Sequence, residues 1–267
     1  LPATSRFFAN GYQSWSESHL YNTGEAIPQL RSLARKYALY TGDEHIKGIP
    51  RGRGKLHSWT YTYFKKPAST ILAGSLSERT GFTLFLYDQA TGILTVRKDL
   101  DRLSLSHSFP ALDFWIGEST EADVFDGWFQ TMGTPKPSAM EALGWSSWYH
   151  YFDNISAEIL RTNLDGIRES GLPFQYFQID DGWQTEVGDW FSVKKSFPKG
   201  MGAMATDIRG KGLTPGLWLA PFVVSPKSEL ARRNPDWLLK DVSGKPIKAG
   251  YNPLWGGWYF ALDFYNN

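Results

Sequence analysis

The 267 residues hold 28 Lys and Arg against 27 Asp and Glu, a formal net charge of +1 that leaves no polybasic surface for nucleic acid. Apolar residues make up 42% and charged residues 21%, ordinary globular usage that excludes a disordered or fibrous chain. No apolar run approaches the ~18 residues of a membrane-spanning helix, and the absence of cysteine removes disulfides, thiol nucleophiles and thiolate metal sites.

Aromatic residues reach 16%, with 12 Trp, 13 Tyr and 17 Phe. Such a content serves a heavily packed core, since aromatics bury large areas. It equally serves a sugar site, where Trp and Tyr faces stack on the apolar C–H side of a pyranose. The chain opens at Leu1 with nothing resembling a signal peptide, so it reads as a processed product or an excised piece.

Pro135 and Pro137 divide the chain into a β half, residues 1–137, and an α/β half, residues 138–267. In the first, Trp59 to Tyr63 and Leu103 to Ser106 alternate with period two, as half-buried strands do. Thr83 to Tyr87 and Ile93 to Val96 are β-branched and aromatic runs joined by a hairpin-like connection. Short strands with frequent turn signals predict an antiparallel β-sandwich, with no helix before residue 120.

In the second half, Leu143 to Trp148 reads as a strand. Ser156 then caps a helix running to Glu169, with Ile159, Leu160, Leu164 and Ile167 on one face and Gly171 and Pro173 as its stop. Phe174 to Ile179 is predicted as strand, Met201 to Lys211 as helix, Leu217 to Phe222 as strand and Ser228 to Asn234 as a further helix. Tyr259 to Asn267 reads as another strand meeting a loop. Alternating strands and helices predict parallel pairing with right-handed crossovers. A whole (β/α)8 barrel takes ~250 residues, so this half holds room for its first three to four units and reads as truncated.

The strongest local feature is Gln178-Ile179-Asp180-Asp181-Gly182-Trp183, two adjacent carboxylates at the C-terminal end of a predicted parallel strand. In barrels that end forms the active-site face. Adjacent carboxylates repel unless donors satisfy them, and a polyol supplies such donors. The alternative use is a loop start with one Asp capping the following turn. Neighbouring strand ends repeat the theme with Trp145, Trp148, Tyr149, Trp218 and the Gly188-Asp189-Trp190 run. Eight of the 12 Trp lie after residue 140, which concentrates stacking surface there. The five histidines show no metal-site spacing. The cluster Lys47, Arg51, Arg53, Lys55 reads as a solvated loop.

These pieces resemble glycoside hydrolase family 36, the bacterial-type α-galactosidases. The resemblance rests on Asn10-Gly11-Tyr12-Gln13-Ser14-Trp15-Ser16, Gly144 to Phe152, Ile179 to Trp183 with Gly188 to Trp190, Gly216 to Pro226, Asn234 to Leu239 and Ala261-Leu262-Asp263. It implies a β-sandwich ahead of a (β/α)8 barrel and a retaining double displacement on terminal α-galactosides such as melibiose or raffinose, without metal or organic cofactor. It implies that Asp180 and Asp181 bind the galactose 4- and 6-hydroxyls. By the same resemblance Trp148, Tyr149 and Trp218 line the sugar pocket and Trp15 reaches toward it, while Trp190, in the Gly188-Asp189-Trp190 run, is a further candidate to bind the sugar. The family nucleophile and acid/base match nothing in this chain, so both are expected downstream and the chain alone is expected to be inactive. Ser146 stands where relatives often carry Cys or Asn. An α-galactosyl transferase of the raffinose-synthase kind and a silent carbohydrate-binding protein are the alternatives. A cytoplasmic bacterial location and a homo-oligomer are further expectations.

Overall fold

A computed structural model describes residues 5–12, 16–29, 43, 46, 48–100, 104–135 and 142–265. The chain forms two compact units, Leu1–Ser138 and Ala139–Asn267.

The first unit is built from two antiparallel sheets. One runs β2 (His19–Tyr21), β1 (Arg6–Ala9), β4 (Tyr61–Lys65), β5 (Thr70–Ser75), β8 (Phe114–Ser119); the other runs β3 (Lys55–Trp59), β6 (Thr83–Asp88), β7 (Ile93–Lys98). Alternation along β1, β3 and β4 turns Phe7, Ala9, Leu56 and Phe64 into one core, where Tyr87 and Leu94 of the second sheet join them. Phe7 stacks on Tyr87 at 5.3 Å and meets Phe64 edge-on at 5.3 Å, which fastens the sheets face to face. Helix α1 (Glu121–Thr131) covers the other face of the larger sheet. Its Val124 and Trp128 pack on Tyr63 and Leu72, and the Trp128 indole N–H donates to the Ser75 carbonyl at 3.2 Å.

Two expectations for this half need correction. Trp59 to Tyr63 is not one strand. Thr60 has φ 68°, a left-handed conformation that breaks the run, so β3 ends in one sheet and β4 begins in the other. The corner is held because Thr60 N–H donates to Thr83 O and Thr60 O accepts from Ser75 N–H, both at 2.9 Å. Period-two alternation is blind to such a corner, since both flanking segments keep the pattern. A β-branched residue in this region costs on the order of 1–3 kcal/mol. Thr60→Asn is therefore expected to stabilise the unit by about 1 kcal/mol, read as a higher urea midpoint at unchanged slope. The second correction concerns Ser104 to Ser106, which pair with no strand among the described residues and lie exposed; Leu103 is outside them.

In the second unit β9 (Gly144–Ser146), β10 (Tyr176–Ile179) and β11 (Thr214–Leu217) form a parallel sheet in the order β11-β10-β9. A one-turn helix, α2 (Trp148–Tyr151), follows β9, and α3 (Ala157–Ser170) leads on to β10. The Ser156 hydroxyl caps α3 by accepting from Ile159 N–H at 3.2 Å, and Gly171 at φ 66° ends it. Helix α4 (Gly200–Gly210) connects β10 to β11. Leu160 and Leu164 of α3, Met204 and Ile208 of α4, and Phe177 and Ile179 of β10 are all fully buried in one core. Each contributes roughly 1.5–3 kcal/mol of apolar burial.

Two elements differ from expectation here as well. The third strand is Thr214–Leu217, ending where the sequence placed its beginning, because pairing with Tyr176–Ile179 runs from Thr214 onward. Trp218 to Phe222 therefore form the loop beyond the strand end. The last strand, β14 (Gly257–Ala261), is not parallel: it pairs antiparallel with β12 (Val223–Val224) and β13 (Lys248–Asn252) in a separate sheet. Helix α5 (Glu229–Arg233) lies between β12 and β13 in the chain.

Candidate functional site

The central strand β10 delivers the paired carboxylates, and the turn after it sends them to different surroundings. Asp180 N–H donates to the Ser147 hydroxyl at 2.9 Å, tying this turn to the end of β9. One Asp180 oxygen accepts the backbone N–H of Asp181 at 2.8 Å; the other accepts from Gln178 Nε2 at 2.9 Å and the Ser146 hydroxyl at 3.3 Å. Asp180 is thus half-buried and partly committed to shaping its own turn.

Asp181 is only 3% exposed. Its Oδ1 accepts from Gln184 Nε2 at 2.6 Å and its Oδ2 from the indole N–H of Trp255 at 2.5 Å. Charge-assisted bonds of this length are strong, and they replace the hydration lost on burial. A carboxylate offers about four lone-pair positions, so acceptor capacity remains for further donors.

Indoles collect beside this carboxylate. Trp183 lies 6.0 Å from Trp190, Trp190 6.1 Å from Trp218, and Trp218 5.9 Å from Trp255, ring centre to ring centre. Trp183 is buried and donates its N–H to the Trp218 carbonyl at 3.1 Å, which fixes the loop beyond β11. Asp181 and Trp255 also border a cavity of about 230 Å³, whose walls include Asp153, Glu186, Lys194 and Lys227 but not Trp183, Trp190 or Trp218. Pockets for drug-sized ligands run ~300–1,000 Å³, so this volume suits a single small ring.

Of the residues singled out in the sequence, Asp181, Trp190 and Trp218 come together in this cluster, and Asp180 stands beside it on the same turn. Trp148 is half-buried and packs edge-on against Phe152 at 5.4 Å instead. Tyr149 is 88% exposed. Trp15 lies outside the described residues. Asp189 turns out to cap α5, its two oxygens accepting from Glu229 N–H at 2.9 Å and Leu230 N–H at 3.1 Å. Sequence reasoning missed Gln184, Trp255, Lys194 and Lys227. For Gln184 the signal was its place in the turn after the carboxylates; for Trp255 it was a Pro-Leu-Trp-Gly-Gly turn. Among the described residues no group of three or more His, Asp or Glu is placed to hold a metal ion.

The second unit thus ends its central parallel strand in paired carboxylates, with a file of indoles nearby. The melibiase family model matches residues 138–254. The chain is 35% identical to alpha-galactosidase Mel36A of Lactobacillus acidophilus over 106 residues, 37% of this chain and 14% of that protein. It is 40% identical to alpha-galactosidase AgaA of Geobacillus stearothermophilus over 90 residues, 31% of this chain and 12% of that protein. The structure matches TtGalA, the alpha-galactosidase of Thermus thermophilus solved in complex with stachyose, with a TM-score of 0.75 and 29% identity, covering 99% of this chain and 52% of that one. These matches bear out the resemblance to glycoside hydrolase family 36. The chain spans about half the length of the solved relative and a smaller share of the curated ones.

Proposed function

We propose that the protein is a retaining α-galactosidase that releases terminal α-linked galactose from oligosaccharides. In this reading residues 138–267 supply the first units of a (β/α)8 catalytic barrel that hold the sugar, behind an N-terminal β-sandwich. The observation that carries it is the Asp180–Asp181 pair at the end of the central parallel strand, set beside the Trp190–Trp218–Trp255 file. Carboxylates bind sugar hydroxyls and indole faces bind the C–H face of the ring. TtGalA was solved with stachyose and with p-nitrophenyl α-D-galactopyranoside, which supports an α-galactoside as the ligand.

A retaining glycosidase needs two carboxyls ~5–5.5 Å apart on either side of the anomeric carbon. Asp181 is held from both sides by neutral donors, and Asp180 accepts from its own turn, so neither stands free as nucleophile. Their arrangement fits hydroxyl recognition. This reading places the nucleophile and the acid/base in the region of the relatives that the chain does not span.

The test is Asp181→Asn in the full natural protein, assayed on an aryl α-galactoside. Asn must present its amide NH₂ to either Gln184 or Trp255, both donors, and it carries no charge. A hydrogen bond to a charged group is worth roughly 1.5–3 kcal/mol, so kcat/KM is expected to fall about 10- to 100-fold. A folded Asp180→Ala, Asp181→Ala double variant with the parent's kcat/KM overturns the assignment.

A further inference from the structure

Trp255 is held as though its position mattered. It closes a 3-10 turn, Pro253–Trp255, between β13 and β14, where Pro253 fixes the backbone and the Asn252 side chain accepts from Leu254 N–H at 3.0 Å. Gly256 at φ 78° then reverses the chain into β14. The indole is half-buried between two rings, Trp218 at 5.9 Å and Tyr259 at 4.9 Å. Its N–H reaches Asp181 Oδ2 across 74 residues of sequence, at 2.5 Å. It also walls the 230 Å³ cavity that Asp181 borders.

We infer that Trp255 is a positioning and specificity-determining residue for galactose, acting through Asp181. The inference rests on the reading of Asp181 as a ligand of the sugar. With Gln184 on one oxygen and Trp255 on the other, the carboxylate plane cannot rotate, and its remaining lone pairs point in fixed directions. A fixed acceptor binds a hydroxyl of one configuration and rejects its epimer, because an unmatched buried acceptor is left without a donor. An Asp free to rotate would follow the hydroxyl and discriminate less. The hairpin that carries Trp255 belongs to the antiparallel β12-β14-β13 sheet rather than to the parallel sheet. The site is thus oriented by an element outside the strands that deliver its carboxylates.

The experiment is a double-mutant cycle in the full natural protein, with galactose as the probe in calorimetry and an aryl α-galactoside in kinetics. Trp255→Phe keeps a ring against Trp218 and Tyr259 and removes the donor together with part of the indole's surface. It is expected to weaken galactose about 5- to 20-fold and to narrow the preference for galactose over its 4-epimer, glucose. In an Asp181→Asn background the same change is expected to do nothing further, within about twofold, since its route is already cut. Multiplicative losses, or a Trp255→Phe protein that binds and discriminates like the parent, overturn the inference. Unchanged galactose affinity in Asp181→Asn overturns the site reading beneath it, which is a distinguishable result. If Trp255→Phe fails to fold, Trp255→Leu, which likewise carries no donor, serves in the same cycle with the same outcomes.

Discussion

Gly182→Ala is expected to abolish galactose binding and to cost about 2–6 kcal/mol of folding stability, the sum of backbone strain and overpacking. Gly182 sits between Asp181 and the buried Trp183 with φ 111°, a conformation that a residue with a Cβ adopts only under strain. A Cβ there lies 2.4 Å from Asp153 O and 2.7 Å from Asp153 Cα. These are backbone atoms, so no side chain can swing aside and the turn itself must move. Movement at this point displaces Asp181 from Gln184 and Trp255, because the Gly182 N–H is part of the same turn, donating to Gln184 Oε1 at 3.3 Å. Domains are stable by only ~5–15 kcal/mol, so a loss at the upper end leaves little folded protein. Urea unfolding and galactose calorimetry measure both effects. A variant within 0.5 kcal/mol of the parent that binds galactose normally contradicts the account.

What the sequence made legible follows from the range of the interactions involved. The Ser156 cap, the Leu160 and Leu164 stripe and the Gly171 stop are local, and α3 forms where they place it. The Thr83–Asp88 and Ile93–Lys98 hairpin is local too. Thr60 defeated the reading because a corner between two sheets leaves the alternation of Trp59 to Tyr63 intact on either side. Leu217 to Phe222 looked like strand because its apolar run is continuous, yet the register of β11 against β10 stops at Leu217, and Trp218 is drawn aside by the bond from Trp183. The Asp180–Asp181 pair was legible as chemistry because adjacent carboxylates demand donors. Which donors they find was not, since Trp255 arrives from a hairpin far along the chain. Asp189, by contrast, looked like site chemistry and spends both its oxygens on a helix start.

The same distance effect hid a second buried carboxylate, and it yields the other large expected effect. Asp43→Ala is expected to destabilise the sandwich unit by about 3–5 kcal/mol, the range for removing one partner of a buried charged cluster. Only 10% of the Asp43 side chain is exposed. Its Oδ2 accepts from His57 Nε2 at 2.5 Å and from the Trp59 indole N–H at 2.9 Å; its Oδ1 accepts from the Ser16 hydroxyl at 3.2 Å and Tyr12 N–H at 3.3 Å. One carboxylate therefore ties Tyr12 and Ser16 to strand β3, and its removal leaves the buried donors of His57 and Trp59 without an acceptor. Burial by itself would raise the Asp43 carboxyl, but the bonds from His57 and Trp59 outweigh it and hold the group below the ordinary aspartate value. A group depressed in the folded state stabilises above its unfolded pKa, ~3.9, and that contribution drains away as pH falls through the folded value. Acid unfolding of the parent should therefore steepen below about pH 4, and Asp43→Asn, which cannot titrate, should flatten that limb while lowering stability at neutral pH. Chemical denaturation at a series of pH values from 7 to 2 reads both. Parallel curves for the two proteins over the acid limb, or an Asp43→Ala variant as stable as the parent, show that the cluster does not hold the unit together.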